Sequence, residues 1–210
     1  MKQLVIGALL TASAFAGASV ISTWDHEATS WYGGVMFDVT NVSASTLRLT
    51  GQFNLNDDGT ATDLYEVWYR AGSYVGNTGS SSGWTLLGTG DGVGQGRGNR
   101  TFIDVGNTLD ISAGQTFGVA IFVDATLDGM TATSSIGYSS GAVNVSDGNL
   151  SLSAGAAKGF NLNGGSPFEG ATFSPRSLQG EVFYQPVPEP ASALILGLGA
   201  ILLRRKSKKA

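Results

Sequence analysis

The chain reads as an all-β protein, an antiparallel β-sandwich of jelly-roll-like form, on three observations. Between residues 19 and 185 apolar residues recur at every second position in run after run, the spacing that puts them on one face of a strand. The runs are short, and clusters of Gly, Asn, Asp and Ser separate them, the residues that close tight turns. No ten-residue window has helical spacing, and no fixed-period repeat suggests a solenoid or propeller. About ten strands that alternate in this way bury their apolar faces best as two packed sheets.

The elements follow in order. Trp24-Asp25-His26-Glu27 through Ser30 is a poorly patterned lead-in. Val35, Phe37 and Val39 then alternate with Met36 and Asp38. The clearest strand sets Leu47, Leu49, Phe53 and Leu55 on one face and Arg48, Thr50, Gln52 and Asn54 on the other. Gly51 interrupts its apolar face, which predicts a bulge or a close crossing. Asn56-Asp57-Asp58-Gly59 is a turn. Residues 64–70 place Tyr65, Val67 and Tyr69 opposite Glu66, Trp68 and Arg70. A Gly/Ser loop over 76–83 leads to a strand at 84–87, and a glycine loop follows over 90–99. Strands are expected at 102–105, 109–111 and 117–123, with shorter ones at 136–138, 143–145, 150–152 and 160–162. Leu178, Val182 and Tyr184 close the domain.

The two ends are of a different kind. Met1-Lys2, an apolar run over 4–10 and small residues around 14–18 make a secretory signal peptide over residues 1–18. At the other end, over residues 186–210, Val187-Pro188-Glu189-Pro190 is held extended by its prolines. Residues 191–203 are uncharged; as a helix they reach only about 20 Å, short of a hydrocarbon core about 30 Å thick. Arg204, Arg205, Lys206, Lys208 and Lys209 form a basic stop that stays cytoplasmic.

This three-part tail resembles the PEP-CTERM sorting signal of Gram-negative bacteria. The resemblance covers about a ninth of the chain. Residues 187–190 match the signature, 191–203 the hydrophobic helix and 204–206 the basic end. It implies handling by an exosortase, an integral-membrane enzyme, after passage through the secretion translocon. It also implies transient anchoring in the inner membrane, then the outer surface or extracellular matrix, and a link to exopolysaccharide. It implies nothing about the fold or activity of the cargo.

Without both ends about 165 residues remain, enough for one domain with its own core. Six Lys/Arg face fifteen Asp/Glu between residues 19 and 185, a net of −9, so nucleic acid and anionic lipid are excluded as partners. No cysteine is present, so stability comes from burial without disulfides.

Motifs that carry chemistry are scarce. Gly79-Ser80-Ser81-Ser82-Gly83 has the spacing of a nucleophile elbow, but the single histidine, His26, lies upstream, and loop and strand flank the motif. Gly94-Gln95-Gly96-Arg97-Gly98 is not followed by the helix start that a phosphate cradle needs. Asp57, Asp58 and Asp63 are the candidate calcium ligands, off the EF-hand spacing, with Asp124 and Asp128 weaker. No local motif pairs any two of Glu27, Glu66, Glu169 and Glu181 for glycoside hydrolysis. Trp68 and Trp84 are the candidate faces for stacking a sugar ring, and large aromatics are otherwise core. The expectation is a structural or adhesive envelope or matrix protein without catalytic residues. A non-catalytic carbohydrate-binding module comes second and a polysaccharide-modifying enzyme third.

Overall fold

The computed structural model describes residues 17–24, 28–123, 134–161 and 165–187. Residues 1–16 of the expected signal peptide, His26, Glu27, Asp124, Asp128 and the tail from Pro188 onward lie outside the described residues. Among the described residues fifteen antiparallel strands make two sheets. In chain order they are β1 (Ser19–Ser22), β2 (Ser30–Tyr32), β3 (Gly34–Asn41), β4 (Leu47–Asn56), β5 (Thr62–Ala71), β6 (Thr85–Val93), β7 (Arg100–Asp104) and β8 (Leu109–Ile111). There follow β9 (Thr116–Val123), β10 (Ile136–Ser140), β11 (Val145–Ser146), β12 (Leu150–Leu152), β13 (Gly155–Lys158), β14 (Thr172–Leu178) and β15 (Gly180–Pro186). A 3-10 turn, Pro167–Glu169, precedes β14.

The smaller sheet runs β1-β15-β4-β7, with β8 continuing the β7 edge along β4. The larger runs β2-β10-β14-β13-β3-β9-β5-β6, and β12 extends β13 along β3. Alternation along β3, β4 and β5 buries Val35, Phe37, Leu49, Phe53, Tyr65 and Val67 in one core cluster. Met36, Ala120, Phe122 and Phe168 form a second cluster, so β3 and β9 are covered on both faces. Double coverage explains why β9 reads as an almost unbroken apolar run.

Gly51 is both a bulge and a close approach. Its φ is +75°, and a Cβ there would stand 2.1 Å from the Asn107 carbonyl oxygen. The β15–β4 register slips opposite it, between Val182 and Tyr184.

Several elements differ from expectation. β1 precedes the lead-in and β2 starts at its last residue, each too short to show a period. The strand expected to stop at residue 87 runs on to Val93, through glycines expected to form a loop. Gly88, Gly90 and Gly92 lie on one face of β6. Cβ atoms there would meet Val105 O at 2.5 Å, Asp104 O at 2.2 Å and Ile103 Cγ2 at 2.7 Å. Bare backbone on that face lets β7 of the other sheet close against β6. The chain at Phe160 is not a strand, whereas the small-residue stretch of β13 is one.

Candidate functional site

Trp84 does not offer a face to a sugar. It is 7% exposed, and its indole N–H donates to the Asn77 carbonyl at 2.8 Å. Phe168, fully buried, gathers the rings of Trp84, Trp68 and Phe122 at centroid distances of 5.2, 5.5 and 4.9 Å. Trp68 is half-buried and donates to Glu66 at 2.8 Å. Of the two tryptophans expected to stack sugars, Trp84 belongs to the second core cluster and half-buried Trp68 packs against it. The 3-10 turn that brings Phe168 onto them left no periodic trace in the sequence. Beneath the same cover Lys158 is buried, and its ammonium donates to Thr78 O, Gly170 O and Thr172 Oγ1 at 3.0, 2.5 and 2.7 Å.

The aspartate turn is a structural knot. Asp57 is fully buried and accepts from Gly59 N–H at 2.7 Å, from the Tyr65 hydroxyl at 2.5 Å and from the Ser134 hydroxyl. Burial pushes its carboxyl above the ordinary range, against those three bonds. Asp58 instead accepts from Arg97 at 3.0 Å and from Ser135 N–H at 2.8 Å. Among the described residues no three acidic or imidazole side chains gather to hold a metal, so Asp57, Asp58 and Asp63 do not form the expected trio. Protein donors already bond to both carboxylate oxygens of Asp57 and of Asp58.

Asp58 leads to the site that the sequence did not mark. Thr29, Ser30, Trp31, Tyr32, Asp58, Arg97 and Ser135 line an open cleft of about 390 Å³. The β2 edge supplies its aromatics, the β4–β5 turn its carboxylate and the β6–β7 loop its guanidinium. The Arg97 guanidinium carbon lies 4.0 Å above the centroid of the Trp31 ring. Gly137 makes room for that ring, since a Cβ there would stand 2.9 Å from the indole nitrogen. Tyr32, 36% exposed, stacks within 5° of parallel on Phe173 at 4.9 Å and within 13° on Tyr138 at 5.9 Å.

A second stack of the same composition involves Trp24. Arg100 sits 4.6 Å over the Trp24 ring and pairs with Glu181 at 2.9 Å. Burial alone would raise the Glu181 carboxyl, but bonds from Arg100 and Asn54 bring it below the ordinary range. The two arginines thus anchor the C-terminal part of the glycine loop and its entry into β7.

Chemically the cleft presents one carboxylate, one guanidinium, hydroxyls and ring edges. Glycoside hydrolysis uses two carboxyl groups flanking the bond, and among the described residues Asp58 is the one carboxylate on this lining. Glu66 and Glu169 have partners elsewhere, Trp68 and Asn161. No protein-family model matches the chain, and no curated protein matches it either.

Proposed function

We propose that the chain is an exported cell-envelope or extracellular-matrix protein, sorted by an exosortase, with a structural or adhesive role linked to exopolysaccharide. The observation that carries this reading is where the cargo ends. β15 finishes at Pro186, Val187 N–H still donates to the Thr46 carbonyl at 3.0 Å, and Pro188-Glu189-Pro190 follows at once. A domain completed at the signature itself is what a removable address requires. The strand orders β1-β15-β4-β7 and β3-β9-β5-β6, with β10 to β14 beside β3, support a jelly roll. That architecture serves lectin and capsid domains alike, so the fold alone does not choose among roles. The net charge of −9 between residues 19 and 185 supports a partner that is neither nucleic acid nor anionic lipid.

The test is fractionation of cells that make tail variants. Glu189→Ala, or removal of residues 204–209, should leave full-length protein in the inner membrane. Variants found outside the cell and cut to the wild-type mass would overturn the reading.

A further inference from the structure

From the cleft at the β2 edge we infer that this protein binds neutral carbohydrate there without cleaving it. Asp58 and Arg97 are the pair that reads two neighbouring ring hydroxyls. The inference rests on the reading that the protein works among polysaccharides outside the cell.

The chemistry of the pair carries it. A carboxylate only accepts and a guanidinium only donates. Set 3.0 Å apart, they present an acceptor beside a donor. Two adjacent hydroxyls, each both donor and acceptor, complete that pattern, whereas a lone carboxylate or phosphate ligand would be repelled by Asp58. Both groups are positioned in advance. Ser135 N–H holds one oxygen of Asp58, and the Trp31 face supports the guanidinium. Little ordering is therefore left to be done on binding. The Arg97 side chain is 61% exposed, so a ligand can reach it. Ser30, Ser135 and the exposed rim of Tyr32 line the same cleft, whose volume falls within the roughly 300–1,000 Å³ typical of small-molecule sites. The charge of Arg97 is neutralised locally, and the acidic domain disfavours polyanions. The sugar is therefore uncharged.

Titration calorimetry of the full chain in detergent provides the test. Cellohexaose and mannohexaose present the two ring-diol geometries, both equatorial and axial–equatorial, and hexagalacturonate serves as the anionic arm. At least one neutral hexaose should bind below about 10 mM, with the galacturonate weaker. Arg97→Gln and Asp58→Asn should each weaken it by roughly tenfold or more, while Phe102→Ser on the far sheet keeps wild-type affinity. Should Asp58→Asn unfold, the exposed Arg97 variant decides alone. The assignment fails if neither neutral hexaose binds, if the galacturonate binds more tightly, or if Arg97→Gln binds like wild type. Export, read by fractionation, stands or falls separately from any of these outcomes.

Discussion

Lys158 shows how much one side chain can hold. Its ammonium ties the loop at Thr78 to the 3-10 turn at Gly170 and to β14 at Thr172. Lys158→Met would leave those buried acceptors unmatched, at about 2–4 kcal/mol of stability by denaturant unfolding. Burial pushes the Lys158 pKa down to about 8 from an ordinary 10.5. Between those values the unfolded chain binds more protons than the folded one, so the wild type gains stability as pH rises from 8 to 10. The Met variant lacks that gain, and comparing the two melts at pH 7.5 and pH 9.5 isolates it. Above pH 10 buried Tyr65 works in the opposite direction, since burial and Asp57 hold its hydroxyl neutral in the fold. At the cleft, Gly137→Val should push the Trp31 indole out from under Arg97, costing about 1–3 kcal/mol. A change in tryptophan fluorescence would report it.

At the level of elements, β6 makes the sharpest claim. With Gly90 Cβ space already filled by Asp104 O, Gly90→Val must separate β6 from β7. The expected loss is about 3 kcal/mol in the unfolding free energy. Phe168→Ala, which empties the second cluster, should cost about 3–5 kcal/mol. The strands β4, β5 and β9 were legible because large apolar side chains mark their inward positions. β6 was legible only as far as Leu87, because its later inward positions are glycine, and a bare face carries no hydrophobic period. β13 hid for a similar reason: a Cβ on Gly155 would stand 1.6 Å from Met36 O, so the packing there needs a residue without a side chain. The face assignment of β5 was right for Tyr65, Val67 and Tyr69, but the sequence had no sign that Phe168 would cover its other face. The cleft was invisible for a different reason. Trp31, Asp58 and Arg97 come from an edge strand, a turn and a loop that only the assembled sheets bring together.

For the molecule as a whole, the acidic net charge makes a claim about salt. A ligand held by paired, locally neutral groups should bind with affinity nearly unchanged between about 0.05 and 0.5 M NaCl, whereas a polyanion bound by charge would lose affinity steeply. Titration at the two salt concentrations separates these cases. The path of the chain has a further consequence. β1 opens the domain and lies antiparallel to β15, which closes it, with Ser19 opposite Tyr184. Cross-strand partners stand about 4.5–5.5 Å apart, so the entry into β1 and the exit from β15 stand on the same side of the sandwich. A bilayer gripping the protein by both extremities would hold it like a bucket by its handle, leaving every strand free to find its neighbour. Under the proposed export route, folding then need not wait for cleavage at either end. The Glu189→Ala protein stranded at the inner membrane should already contain a compact core that survives trypsin as well as the released form does.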